Sequence, residues 1–207
     1  LIDMHVHLDS PADIGGWRGL EYTDSFFAMT AVSNGRAMLD AGFTTVRNVG
    51  AADYADLALK MAIERGAIPG PRIVPATYAI GATGGHCDSN ELPANYVFDR
   101  PGIADGPDGV RQKVRELHRR GAEVIKYCAT GGVFSSNTGV GQQQMSEAEM
   151  RAVAEEDRVV RAAEFREGDV AADGDAELGF RHRDARGERA ALGVAIGDRK
   201  STRLNSS

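Results

Sequence analysis

The sequence predicts an α/β fold in which parallel strands alternate with helices. Short β-branched, apolar runs alternate with runs at helical spacing, and clusters of Gly, Pro and polar residues punctuate each change of period. With 42% hydrophobic and 26% charged residues, the 207-residue chain has the composition of a globular domain with a sizeable core. Three successive strand-helix-strand passages imply parallel strands joined by right-handed crossovers.

Leu1 to Leu8 alternates apolar with polar residues and reads as a strand carrying Asp3, His5 and His7 on one face. Ser25 to Ala41 reads as a helix, capped at Asp24 or Ser25 and stopped at Gly42. Phe43 to Val49 is the second strand and Ala55 to Gly66 the second helix. The turn Pro69-Gly70-Pro71 leads into a third strand, Arg72 to Ile80. A polar loop from Gly81 to Gly109 precedes an amphipathic helix, Val110 to Arg120, which ends at Gly121. Glu123 to Cys128 reads as a fourth strand. Beyond a second loop, Ser146 with Glu149 forms a capping-box pattern at the head of a helix.

Residues 1–157 carry all of this order. In 158–197 Arg, Ala, Glu, Asp and Gly dominate with little periodicity, which argues against a packed core; the segment reads as a frame-shifted stretch or as a natural tail. Residues 198–207 read as a translated sequencing adapter and are set aside from fold reasoning. The 30 acidic and 24 basic residues leave no electrostatic footprint for nucleic acid or an anionic membrane, so small molecules are the expected partners, and self-association is compatible with the sequence. No apolar run approaches the roughly 20 residues needed to span a bilayer. Cys87 and Cys128 have neither CxxC spacing nor the numbers of a disulfide framework, which points to a reducing, cytoplasmic compartment; because the chain begins at Leu1 without an initiator Met, export stays open.

Histidines two apart on a strand present both imidazoles to one side, where one divalent ion can take both at about 2.0 to 2.1 Å. His5 and His7 have that spacing, although two satisfied polar residues would look the same. Lys126 lies on the fourth predicted strand, where an unpaired ammonium is costly to bury; it is either a snorkelling or ion-paired lysine or a chemically modified one. Cys128, two residues on, is a packing residue or a soft ligand. His86 follows Gly84-Gly85 beyond the end of the third strand, either as a catalytic group or as a loop histidine bonded to Asp88. His118 lies on the charged face of its helix.

Five strings together resemble one family. Leu1-Ile2-Asp3-Met4-His5-Val6-His7 resembles the opening strand of the amidohydrolase superfamily. Ala41-Gly42-Phe43-Thr44-Thr45-Val46-Arg47-Asn48-Val49-Gly50, then Ile68-Pro69-Gly70-Pro71-Arg72 with Thr83-Gly84-Gly85-His86, resemble the second and third strands of its prolidase-like (Xaa-Pro dipeptidase) and imidazolonepropionase-related subgroup. Val124-Ile125-Lys126-Tyr127-Cys128-Ala129-Thr130-Gly131-Gly132-Val133 resembles its fourth.

The resemblance implies a TIM-type (β/α)8 barrel, of which residues 1–157 would supply strands one to four, with active-site residues at the C-terminal ends of the strands. It implies that His5 and His7 bind a metal ion and that Lys126, carboxylated by carbon dioxide, bridges two Zn2+ ions, other divalent metals being compatible. His86 would polarise the substrate carbonyl. Metal-activated hydroxide would then hydrolyse the amide (C–N) bond of a small substrate such as an Xaa-Pro dipeptide or an N-acyl amino acid. The remaining ligands and an aspartate base would lie on strands beyond residue 157, so this segment, incomplete at both ends, is expected to be inactive by itself. Two other readings stand beside this one: a mononuclear imidazolonepropionase-like hydrolase of cyclic amides, and a non-catalytic metal-binding fragment.

Overall fold

The computed structural model describes the backbone of residues 1–170, 180–183 and 189–192, except 89–91, 94, 98, 134, 136 and 137, and side chains as far as residue 162 other than those of Gly16 and Trp17. Three parallel strands form one sheet in the order β1 (Ile2–Val6), β2 (Thr45–Asn48), β3 (Arg72–Pro75). Helix α1 (Asp24–Asp40) connects the first two strands and α2 (Ala55–Glu64) the second two. Each β-α-β passage returns the chain parallel to itself, as the sequence pattern required.

Val46 of β2 and Ile73 of β3 point into a core closed by Ala31 of α1, Leu59 of α2 and Leu8 just beyond β1. A Cβ on Gly35 of α1 would stand 3.3 Å from the Leu59 side chain, so the glycine lets the two helices approach. A second core joins α3 (Gly106–Arg120) to α4 (Glu147–Val170). Val110, Val114 and Leu117, spaced to share one helix face, bury against Ala152, Val153, Met145 and Ile80. Above that seam Arg111 meets Glu155 at 2.9 Å, Arg115 meets Glu156 at 2.5 Å and His118 meets Asp157 at 2.9 Å. The His118 side chain is only 4% exposed, so it lies under the charged face on which it was expected.

The helix ends follow local chemistry. Gly42 and Gly121 take left-handed backbone (φ 91° and 110°) just past α1 and α3, a conformation that costs glycine little. At α4 the capping box is complete: Glu149 accepts from the Ser146 amide at 2.7 Å, and its own amide donates to Ser146 Oγ at 3.3 Å. Two expected starts move. The cap of α1 is Thr23, whose hydroxyl accepts the Phe26 amide, and α3 begins at Gly106, four residues before Val110, with Pro107 in its first turn.

The strands depart further from expectation. β3 ends at Pro75 because Thr77 adopts left-handed backbone (φ 58°). The expected fourth strand, Glu123 to Cys128, is present as an extended segment with a single parallel bridge, Ile80↔Tyr127. Its amides at Glu123 and Cys128 donate to Pro75 and Ile80 carbonyls, but the interruption at Thr77 prevents a continuous ladder. Cys87 and Cys128 are joined in a disulfide across Cα atoms 6.1 Å apart, contrary to the unpaired thiols expected. Forty-one residues of separation carry no spacing signal.

The chain divides into two compact units, the second beginning at Arg158. In the second, β4 (Phe180–Arg183) and β5 (Arg189–Leu192) pair antiparallel, Phe180 opposite Leu192. The expected adapter-derived residues 198–207 lie outside the described residues. Among the described residues no helix is long and apolar enough to cross a membrane.

The two cores and the cap make separable contributions to stability. Leu117→Ala, at a site 1% exposed, is expected to cost about 2–5 kcal/mol, and Ser146→Ala about 1 kcal/mol through loss of the cap. Urea denaturation of both variants checks this; equal costs, or a larger cost at Ser146, would contradict the seam as the dominant contact.

Candidate active site

His5 lies in the C-terminal half of β1 and His7 just past its end, where the strand is not regular. Between the pairs Asp3↔Val46 and Val6↔Asn48 it advances three residues while β2 advances two, a β-bulge. The groups at the bulge are taken by side chains: the His5 amide donates to Asp3 Oδ1 at 3.0 Å, and Arg47 Nε donates to the Met4 carbonyl at 2.7 Å. Both imidazoles are exposed and adjacent, ring centroids 5.5 Å apart and planes at 65°.

The His7 ring is held from behind. Its Nδ1 lies 3.1 Å from the Gly50 carbonyl, and because a carbonyl can only accept, Nδ1 carries the proton and Nε2 keeps its lone pair. Gly50 (φ 144°) permits this approach; a Cβ there would stand 3.4 Å from the ring. The same carbonyl accepts from Asn48 Nδ2 at 3.0 Å, and Asn48 is fully buried. Its Oδ1 accepts the Leu8 amide at 2.8 Å, while Nδ2 also reaches Asp56 Oδ2 at 3.3 Å. Asp56, 1% exposed, accepts the amides of Thr77 and Leu57 at 2.9 and 2.8 Å. Burial pushes the Asp56 carboxyl above its ordinary pKa, opposed by these three donors.

Asp9, two residues beyond His7, is a second buried carboxylate. It accepts the Ala52 amide through Oδ2 at 2.9 Å, and burial again raises its pKa. Among the described residues Asp53, Tyr54 and Thr77 are the non-glycine residues with positive φ, and all follow the C-terminal ends of β2 and β3. Backbone strain thus gathers at the end of the sheet that carries the histidines.

Lys126 is half-buried on the extended segment beside β3, its carbonyl accepting the Ile80 amide at 2.8 Å. It lies within electrostatic reach of His5, whose pKa is lowered first by burial and next by the Lys126 charge, with His7 and Arg47 adding and Asp3 opposing. His5 is thus adjacent to His7 and feels the Lys126 charge. Among the described residues no cluster of three or more His, Cys, Asp and Glu side chains could hold a metal ion.

His86 is exposed on the loop after the third strand, its amide donating to Gln144 Oε1 at 2.7 Å. It does not bond to Asp88, whose carboxylate accepts the Gly84 amide at 2.8 Å and pairs with Arg100 at 2.6 Å. Instead Nδ1 meets Ser135 Oγ. The Cys87–Cys128 bond draws this loop against the Lys126 segment, and Cys128 is thereby neither a ligand nor a lone packing residue. Sequence reading missed Asn48, Asp56 and Ser135. One signal was available: Asn48 shares a strand face with Val46, and a polar residue on a core face needs buried partners.

The amidohydrolase family profile matches residues 1–173. An ochratoxinase of Aspergillus niger is 34% identical over 176 residues, covering 75% of this chain and 35% of that protein. Among solved structures, a Xaa-Pro dipeptidase with methionine bound in its active site is similar with a TM-score of 0.69 and 31% identity. A prolidase complexed with N-methylphosphonate-L-proline gives a TM-score of 0.66 and 36% identity. Each comparison covers 77% of this chain and 40% of the other. The chain thus spans about a third of the length of the curated relatives it matches. These neighbours carry the amidohydrolase fold, of TIM-barrel type, to which the three-stranded parallel sheet conforms.

A raised carboxyl pKa in the folded state means that the native protein binds the proton more tightly than the unfolded chain. The contribution of Asp56 is therefore full below the ordinary carboxylate range and falls as pH rises through its raised value. The stability difference between the parent and Asp56→Asn is expected to narrow as pH rises from about 4 toward neutrality. Denaturation midpoints across that range test it; a difference constant with pH would show that Asp56 titrates normally.

Proposed function

As the chain belongs to the amidohydrolase family, we propose that it carries part of a metal-dependent centre that hydrolyses amide (C–N) bonds in small substrates such as Xaa-Pro dipeptides or N-acyl amino acids. The observation that carries the reading is the His5–His7 pair, adjacent at the end of β1, with the tautomer of His7 set by the Gly50 carbonyl so that Nε2 is available as a ligand. Identity to a prolidase and to an ochratoxinase supports the substrate class.

The residues present fit divalent zinc. His5 and His7 would hold one ion, and Lys126, as its carbamate, would bridge to a second. Free Lys126 has no lone pair to offer while protonated, and the positive charge of Arg47 near His5 favours the neutral imidazole that ligation requires. Carboxylation of the neutral amine, with release of a proton, would give an anionic two-oxygen group able to serve as a ligand. When bound, the metal supplies an acidified water and a positive charge toward the scissile carbonyl.

The protein groups do the rest. The Asn48–Gly50 hydrogen bonds keep His7 from rotating, so its lone pair stays directed. His86, anchored through its amide by Gln144, would donate from its ring to the carbonyl oxygen as negative charge develops there.

These roles separate by experiment in the full-length protein. His5→Ala and His7→Ala are expected to lose bound zinc, measured by equilibrium dialysis. His86→Ala is expected to retain its zinc and lower kcat by roughly two to three powers of ten, the usual cost of an oxyanion donor. Loss of zinc from His86→Ala would make His86 a ligand and overturn its assignment.

A further inference from the structure

We propose that Ser135 is a positioning residue that sets the tautomer of His86, so that the imidazole presents Nε2–H to the substrate. The Ser135 hydroxyl oxygen accepts the Gly132 amide at 3.2 Å, which occupies one lone pair and leaves the hydroxyl proton to be placed. Among the described residues, the acceptor in contact with that proton is His86 Nδ1. A hydroxyl donating to Nδ1 requires Nδ1 to be bare, and a neutral imidazole with bare Nδ1 carries its proton on Nε2. The opposite arrangement, Nδ1–H donating to Oγ, leaves the serine proton without a described partner and Nε2 without a proton to give.

The surroundings hold this pair in place. The Ser135 amide donates to the Gly132 carbonyl at 3.2 Å, so Ser135 is tied to Gly132 through its backbone as well as its hydroxyl. The imidazole lies on the bare face of Gly132, where an added Cβ would come within 2.7 Å of both ring nitrogens. From the other side the His86 amide is tied to Gln144 Oε1 at 2.7 Å. Both ends of the histidine are thus constrained, and among the described residues Nε2 has no hydrogen-bond partner. It is the ring atom left for a ligand. The use of that proton rests on the hydrolase reading above, but the tautomer itself does not, since it is a property of the resting protein.

The test reads the tautomer without turnover. Long-range 1H–15N spectra of histidine-labelled full-length protein, recorded at about pH 8.5 where imidazoles are neutral, distinguish a bare from a protonated Nδ1. The parent is expected to show Nε2–H for His86. Ser135→Thr, which keeps the hydroxyl, should preserve it, and Ser135→Ala should give a mixture of tautomers. In the same protein Ser135→Ala should lower kcat by roughly ten- to a hundredfold with KM little changed, and Ser135→Thr should restore most of it. A proton on Nδ1 in the parent, or an unchanged tautomer in Ser135→Ala, overturns the proposal. If amide spectra show that Ser135→Ala misfolds, the comparison of parent with Ser135→Thr still decides, because loss of Nε2–H with the hydroxyl retained overturns it as well. Failure of the hydrolase reading would instead appear as absent zinc binding with the Nε2–H tautomer intact.

Discussion

The buried hydrogen-bond set centred on Asn48 is the constraint on which the rest of the site depends. Three strand ends have to meet at the C-terminal edge of a short sheet, where the ladder stops and backbone groups lose their regular partners. Asn48 takes the Leu8 amide beyond β1 and gives to the Gly50 carbonyl beyond β2; Asp56 extends the set to the Thr77 amide beyond β3. Asn34 of α1 completes it by donating to the Leu8 carbonyl at 2.8 Å. A buried amide or carbonyl without a partner costs about 1–3 kcal/mol, so four such groups would outweigh much of a marginal domain's stability. The side chains that satisfy them also determine where the strand ends lie, and therefore where His7 stands.

The same constraint explains why irregular backbone gathers here. A bulge turns the end of β1, and Thr77 stops β3 in a left-handed conformation whose amide is directed at Asp56. Each would be unfavourable in isolation. The bulge sends the His5 amide and the Met4 carbonyl to Asp3 and Arg47, and the stop at Thr77 gives Asp56 a third donor. Cys87–Cys128 adds a covalent tie between the His86 loop and the Lys126 segment, so the two halves of the site are joined by one bond as well as by packing. Function and fold share the same few residues at this edge.

What was legible in the sequence was what local chemistry decides. Gly42, Gly121 and the Ser146–Glu149 pair end or begin helices through contacts within a few residues, and the expected elements appear near them. His5 and His7 were found because strand alternation alone puts them together. The bulge was not, because it depends on the register against β2, some forty residues away. Likewise the early end of β3 depends on Asp56, 21 residues upstream of Thr77, and the Ser135–His86 contact spans 49 residues. Lys126 was singled out as a charged residue on an apolar segment expected to be a strand, and that segment pairs through one bridge instead. Long-range partners, absent from any local pattern, account for each miss.

The proposed metal centre depends on Lys126 as the group that would turn two histidines into a binuclear site. The most direct measurement is the zinc content of full-length protein reconstituted with and without bicarbonate, since the carbamate draws its charge from carbon dioxide. Two zinc ions per chain with bicarbonate, fewer without it, and loss of that dependence in Lys126→Ala are the expected results. One zinc ion per chain under both conditions, with full activity, would contradict the carbamate and leave Lys126 as an ion-paired lysine beside a mononuclear site.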